Sequence, residues 1–327
     1  MTDVAPRTIS ECPFVSVVVP THGRRALLER LLHSLLAQQW PADRFEIIVV
    51  HNYTPDGTDT LVAALAANSK VALHYHRTAF TRPGPSRQYG SERAQGSVLA
   101  FIDDDCQATP GWIAAGVAAW RQGLALTQGR TLPRPDQPRR LLEKTVTVTG
   151  PTAFFETCNI FYDTAAFRAV GGFPERFRVV RAGEDTSLGW TLRAAGYATG
   201  FAADALVYHE VFAVSYWDWL REVNIVTELP ALAAAYPAMR QHLYLGVFLS
   251  RTTAAFDLFA IGLIGGAGLH PLLLLLCLPY CAVRMLERGR HRRPHILLAR
   301  LLFGLPRAAA MAWVLLMGSL RARSPVL

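Results

Sequence analysis

Three consecutive acids, Asp103, Asp104 and Asp105, follow the apolar run Val98–Ile102 (VLAFI). Carboxylates crowded at the end of a buried strand repel one another and lose hydration, so a divalent cation is the natural partner. Hard ions that prefer oxygen, Mg²⁺ or Mn²⁺, suit such a set. Side chains two apart at a strand end can project the same way, which makes Asp103 and Asp105 the expected metal ligands. An acidic turn before the helix announced by Thr109 and Pro110 is the competing reading. The carboxyl end of a parallel strand, where α/β proteins bind ligands, favours the metal. A second acidic pair, Glu184 and Asp185, opens the helical stretch TSLGWTLRAAG. Two acids in a first helical turn suit the helix dipole, which is a common structural use of such a pair. His209, in VYHE, follows an apolar run after that helix, and a lone histidine there is more often structural.

These groups need a scaffold, and the apolar periodicity supplies one. Val15–Pro20 (VSVVVP) reads as a buried strand, and Leu27, Leu28, Leu31, Leu32, Leu35 and Leu36 recur at helical spacing. Phe45–Val50, Val71–Tyr75 and Val98–Ile102 read as further strands, with helices over Thr58–Ala67 and Ser86–Gln95 between them. Strands apolar on both faces that alternate with helices imply a mostly parallel α/β sheet covered on both sides. The proline-rich stretch Pro133–Arg140 is a loop separating this half from a second, in which Thr186–Ala195 forms a helix stopped by Gly196.

The chain has 327 residues, 51% hydrophobic and only 18% charged, with a net charge of +8. From Arg284 to Leu327 there are nine arginines and one acid, so the whole excess sits in the tail. A nucleic-acid binder would spread such charge over its folded surface, and that class is excluded. The charge instead adjoins Leu258–Val283, 26 residues without a formal charge, interrupted by His270 and Pro271. Two readings compete: one kinked helix crossing a membrane, or a re-entrant hairpin of two arms. Gly262 and Gly266 suit close packing in either case. Ile296–Leu320 is apolar but carries Arg300 and Arg307, and with Arg288–Arg293 before it favours a helix lying on an anionic cytoplasmic leaflet. The five cysteines are scattered without a CxxC pair, which argues against a disulfide framework or zinc site. The first residues lack the charged start and apolar core of a signal peptide, placing the first domain in the cytosol.

Several segments agree with one family in order and spacing. VSVVVPTHGR, EIIVVHN followed by Asp56-Gly57-Thr58, GPSRQYGSERAQGSVLAFIDDDC with Pro110-Gly111-Trp112, and GGFPERF followed by GEDTSLGWTLRAAGY resemble family 2 glycosyltransferases over about residues 14 to 215. The resemblance implies a GT-A fold, a nucleotide-sugar donor, a divalent metal (Mg or Mn) at a DxD motif and inversion at the anomeric carbon. It implies that Asp103, Asp105 and His209 hold the metal, and that Pro20, Thr21, Asn52, Arg87, Asp103 and Asp104 line the nucleotide sugar. Asp185, with Glu184 beside it, would be the catalytic base. The domains expected are a GT-A catalytic domain over 1–236, with a nucleotide-binding half at about 14–130 and an acceptor half at about 131–236, and a membrane-associated helical region over 237–327.

Two departures fall at the nucleotide end, where His51-Asn52 and His22-Gly23 replace the customary Asp-Asp or Asp-Asn and Tyr-Asn. Trp217, Trp219 and Arg221 lie where processive relatives carry QxxRW, and YWDWLREVN lacks that motif, so the aromatics are expected at an interface belt or a packing face. The expected activity is metal-dependent transfer from a nucleotide sugar to a saccharide or polyprenyl-linked acceptor at the cytosolic face of a membrane, in contact with lipid, within cell-envelope assembly. An inactive binding or scaffolding protein of the same fold is the alternative, which the intact Asp103, Asp105 and Asp185 disfavour. A dehydrogenase would need GxGxxG after the first strand, and a transporter more spans.

Overall fold

The computed structural model describes residues 12–140, 142–178, 182–286 and 294–327, which fall into two compact units. The first takes the described residues of Met1–Pro138 with Thr145–Phe212, and the second those of Arg139–Lys144 with Ala213–Leu327.

In the first unit β1 (Val15–Thr21) leads into α1 (Arg25–Leu36), β2 (Phe45–Asn52), α2 (Thr58–Ala67), β3 (Ala72–Thr78), α3 (Pro83–Arg93) and β4 (Val98–Ile102). Strands β1, β2 and β4 are buried throughout, as β-branched and aromatic runs covered on both faces should be. Leu28, Leu31, Leu32 and Leu35 form the buried stripe of α1. β3 lies at one edge of the sheet and is only partly buried, which explains its histidines and arginine. Helix α3 lies close on β1 at Gly90, where a Cβ would stand 2.5 Å from Val18 Cγ1. That approach carries Arg87, one turn earlier, under the end of the sheet.

The chain continues through β5 (Cys106–Ala108), α4 (Trp112–Arg121) and β6 (Leu126–Pro133). After the two-residue β7 (Glu143–Lys144), which belongs to the second unit, come β8 (Asn159–Asp163), α5 (Thr164–Ala169), α6 (Glu184–Ala194) and β9 (Thr199–His209). Among the described residues these strands form one eight-stranded sheet in the order β3-β2-β1-β4-β8-β6-β9-β5. The first four strands are parallel, β8 is antiparallel to β4 and β6, and β9 runs parallel to β6 but antiparallel to β5. Pairing of β5 with β9 sets Cys106 opposite His209. The second half, poor in sequence periodicity, thus joins the same sheet rather than building its own.

The second unit is helical: α7 (Tyr216–Arg221), α8 (Leu229–Ala235), α9 (Arg251–Gly268), a 3₁₀ turn over Pro271–Cys277, α10 (Leu278–Leu286) and α11 (Pro294–Ala322). Ser250 and Thr253 form a capping box at the start of α9. The uncharged run 258–283 is not one helix. It breaks at His270, whose Nδ1 accepts from the Leu272 backbone N–H, and Pro271 starts the return arm. The glycines make the arms meet: a Cβ on Gly262 would lie 2.9 Å from the Leu273 carbonyl oxygen, and one on Gly266 2.6 Å from Leu274. Of the two readings of this run, the two-armed hairpin is the one built.

By length and composition, the helix among the described residues that could cross a membrane is Leu301–Ala322. This is the segment whose arginines pointed to an interfacial helix. Within it Arg307 donates to the Trp219 carbonyl and lies over that indole at 4.5 Å, so its charge is held inside the unit. Trp219 therefore serves a packing face, as does Tyr216 against Phe303, while Trp217 stands exposed. Arg288–Arg293 lie outside the described residues, as does the side chain of Arg300.

Candidate active site

The carboxyl ends of β1, β2 and β4 converge on one edge of the first unit and carry Thr21, Asn52 and Asp103. At the nucleotide end, Asn52 is buried and its Oδ1 accepts from Thr78 Oγ1 and Ser86 Oγ, both at 2.9 Å. His22 Nδ1 lies 2.8 Å from the Asn52 carbonyl oxygen. His51 is spent on packing, with Nδ1 2.9 Å from Tyr75 Oη and Nε2 3.3 Å from Thr54 Oγ1; burial holds its pKa below the ordinary value. The sequence departures at this end are therefore a structural histidine and an asparagine fixed by two hydroxyls. Pro20 is buried in β1, and its neighbour Thr21 donates to Asp104 Oδ2 at 2.7 Å.

The three acids divide among different partners. β4 ends at Ile102 and the chain turns at Asp104-Asp105, so the strand alternation that would set Asp103 beside Asp105 stops before them. Asp103 accepts from Arg87 Nη2 at 2.5 Å. Asp104 and Asp105 share Arg24, whose Nη1 lies 3.1 Å from Asp104 Oδ1 and 2.7 Å from Asp105 Oδ2. Burial, with Asp105 beside it, pushes the Asp104 carboxyl up to about 6, and burial raises Asp105 as well, against the pull of His209. Crowding of this kind is what a cation relieves.

The fit for a divalent metal lies at Asp105. Its Oδ1 is buried without a hydrogen-bond partner and lies 3.4 Å from His209 Nε2. His209 Nδ1 lies 2.7 Å from the Glu210 carbonyl oxygen, which can only accept, so Nδ1 carries the proton in the neutral ring and Nε2 presents a lone pair. In that tautomer Nε2 and Asp105 Oδ1 both offer lone pairs to one buried space, as metal ligands do, and the Glu210 carbonyl orients the imidazole as outer-shell partners do at metal sites. Cys106 Sγ joins this group, the three ligand atoms lying within 4.8 Å of one another; Asp103 is outside it.

Glu184 and Asp185 form the first turn of α6, after Gly183 at φ 107°. Glu184 accepts from Arg87 Nη1 at 3.4 Å, so one buried guanidinium ties the Asp103 end to the Glu184 end. Asp185 Oδ1 accepts from the Thr186 backbone N–H at 2.7 Å. Burial, and next the charge of Glu184, push the Asp185 carboxyl up to about 8. A first-turn position favours the ionised carboxylate through the helix dipole, and here desolvation outweighs it. Glu156 adds its charge to Asp185 and is held by Gln128 and Thr152. Its neighbour Phe155, at φ 54°, packs where a Cβ on Gly189 would come within 2.1 Å.

The profile described as Glycosyl transferase family 2 matches residues 16–181. The chain belongs to glycosyltransferase family 2. Its sequence is 26% identical over 214 residues to glycosyltransferase AglE of Haloferax volcanii, covering 61% of this chain and 68% of that one. It spans about half the length of a validoxylamine A glucosyltransferase of Streptomyces hygroscopicus, at 27% identity over 58% of this chain and 54% of the relative. A stretch of 121 residues is 27% identical to the GalNAc(5)-diNAcBac-PP-undecaprenol beta-1,3-glucosyltransferase of Campylobacter jejuni, covering 37% and 38% of the two chains. Among solved structures it is similar to a Pyrobaculum calidifontis mannosyltransferase determined with GDP-Man and Mn²⁺, with a TM-score of 0.59 and 18% identity over 98% of this chain and 90% of that one. The shared fold is GT-A, as the motifs implied.

In this family 2 glycosyltransferase the structure brings Thr21, Arg87, Asp103, Asp104, Asp105 and His209 to one edge and joins Glu184 to it through Arg87. The sequence reading passed over Arg24, Cys106 and Glu156. Arg24 stands three residues after Thr21, and a basic side chain just past a strand end was a usable sign. Cys106 and Glu156 left none, because Cys106 meets His209 only through the pairing of β5 with β9 and Glu156 reaches Asp185 only through the folding back of α6.

Proposed function

We propose that the protein is a divalent-metal-dependent, inverting glycosyltransferase that moves a sugar from a nucleotide donor to an acceptor hydroxyl. The observation that carries the metal is Asp105 Oδ1, buried without a hydrogen-bond partner among the described residues, 3.4 Å from His209 Nε2 and grouped with Cys106 Sγ. Asp105 and His209 would hold Mg²⁺ or Mn²⁺, with Asp103 and Asp104 at the donor. When bound, such an ion stabilises the charge that grows on the departing diphosphate. Thr21 orients Asp104, and the amide nitrogen of Asn52 is left to the base while its oxygen is held by Thr78 and Ser86.

Asp185 takes the acceptor proton as the hydroxyl oxygen attacks the anomeric carbon. A pKa of about 8 makes its carboxylate a stronger base than an ordinary aspartate, and close to the pH where acid–base catalysis works best. Arg87, fixed between Asp103 and Glu184, holds the two ends at a constant separation. We further propose the GT-A catalytic domain as residues 1–236 and a membrane-associated region as 237–327, with catalysis at the cytosolic face. The apolar helix Leu301–Ala322 and the polyprenyl-linked substrate in the Campylobacter relative's name support a membrane setting and a lipid-linked saccharide acceptor.

A thermal-shift panel of UDP-, GDP- and dTDP-sugars with and without Mn²⁺ tests the reading, because a ligand bound only by the native state raises the melting temperature. One donor should stabilise the protein and do so only with the metal. Stabilisation equal in EDTA would remove the metal from the mechanism.

A further inference from the structure

The acidic triad holds two guanidiniums of different kinds. Arg87 is buried, its side chain 5% exposed, and carries two carboxylates, Asp103 and Glu184. Arg24 is 43% exposed and reaches in from the turn between β1 and α1, with its guanidinium 5.4 Å from the Phe212 ring. A single nitrogen of Arg24, Nη1, serves both Asp104 Oδ1 and Asp105 Oδ2. This leaves Asp105 Oδ1 as the triad oxygen buried without a partner among the described residues.

We propose that Arg24 is the resident counter-cation of the DxD acids in the donor-free enzyme, and that it gives them up when metal and nucleotide enter, passing to the donor's diphosphate. The proposal rests on the donor-site reading above and adds a residue to it. The charge balance carries it. Asp103, Asp104, Asp105 and Glu184 against Arg24 and Arg87 leave the cluster two negative charges, which a divalent cation beside Asp105 cancels, so the ion takes over the part that Arg24 plays there. A guanidinium 2.7 Å from the same carboxylate is then repelled by the ion and attracted by an incoming diphosphate. Of the two arginines only Arg24 can respond, because moving the buried Arg87 would strand Asp103 and the buried Glu184 together, whereas the Arg24 stem already lies partly in water. Guanidinium also matches phosphate oxygens through paired donors, so the transfer exchanges one good partner for another. The exchange makes metal and nucleotide help each other: without nucleotide, Arg24 competes with the ion for Asp105; with it, the competition ends.

The test uses the full-length protein and its Arg24→Gln and Arg24→Lys variants. Binding of Mn²⁺ alone is read from loss of the free-ion electron-spin-resonance signal, and binding of UDP, GDP and dTDP with Mn²⁺ from calorimetry. Wild type must first bind one of these nucleotides with Mn²⁺; failure there overturns the donor-site reading itself, before any variant is compared. Arg24→Gln should bind Mn²⁺ alone about five- to tenfold more tightly, and the nucleotide in the presence of Mn²⁺ about tenfold more weakly, the size expected of one charge-assisted contact at a half-exposed site. Arg24→Lys, which keeps the charge but not the fork, should fall between on both measures and guards against a variant that fails to fold. Unchanged or weaker Mn²⁺ binding in Arg24→Gln would remove the competition. Unchanged nucleotide binding would remove the transfer to the diphosphate. Either result overturns the proposal while leaving the wild-type donor site standing.

Discussion

In the sheet-bearing unit the apolar side chains of β1, β2 and β4 are withdrawn from water, and the charged groups among them are matched, Arg87 with Asp103 and Glu184 and Thr21 with Asp104. In the helical unit the relation is inverted: Leu269, Ile264 and Leu286 are 84%, 77% and 77% exposed, while Arg307 is turned inward on Trp219. The two units solve different solvent problems. Burying charge in the first is tolerable only because each group has a partner or a place for one, and that crowding is the source of its chemistry. Exposing so much apolar surface in the second is tolerable where that surface meets something other than water.

The sharpest break would be made at Asp185, whose ionisation is opposed by burial and by the charge of Glu184. Asp185→Asn keeps the bond to the Thr186 N–H and removes only basicity, so sugar transfer should fall by roughly 10² to 10⁴ with donor binding preserved. Radiolabelled transfer beside a donor titration checks this, and wild-type turnover would move the base to Glu184. In the wild type, kcat/KM should rise with pH as Asp185 loses its proton near pH 8.

Next in size is His209→Gln, which takes away the lone pair facing Asp105 Oδ1. Mn²⁺ affinity in the presence of nucleotide should drop by about 10- to 100-fold. A variant that binds Mn²⁺ like wild type would leave the carboxylates as the whole site.

The helical unit is probed by Leu269→Asp with Leu272→Asp, two exposed leucines at the hairpin tip. Each apolar side chain lost from a bilayer should weaken partitioning onto anionic vesicles by roughly 10- to 100-fold, given roughly 1.5 to 3 kcal/mol per buried leucine. Donor binding in the other unit should not change. Equal flotation of variant and wild type with vesicles would place the lipid contact elsewhere, with Leu301–Ala322 the remaining apolar helix.

The smallest effect is on stability. Because the folded-state pKa of Asp185 is raised from 3.8 to about 8, the native protein keeps a proton that the unfolded chain has lost between those values. Its contribution is therefore whole below about pH 4 and lost as pH rises to 8. Asp185→Asn cannot ionise and avoids that loss, so its melting temperature should exceed the wild-type value by an amount that grows from pH 5 to pH 8.5, reaching a few degrees. A gap independent of pH would mean that Asp185 is ionised throughout.

Local pattern alone determined the four parallel strands, the helices between them, the acids after Ile102 and the acidic pair that opens α6, because burial on both faces and helical periodicity are written within a dozen residues. The hairpin break was also legible, since proline after His270 cannot continue a helix. Only the tertiary structure decided which acid meets which cation. Asp103 turns to Arg87 and Asp105 to Arg24 and His209 because the chain leaves β4 at a turn and because β9 returns antiparallel beside β5, a pairing between residues about a hundred positions apart. The strands β6, β8 and β9 that create this neighbourhood lack the clear periodicity of the first four. The state of Asp185 was likewise decided by packing: a first-turn position favours its charge, but the acids folded around it and the loss of water favour its proton.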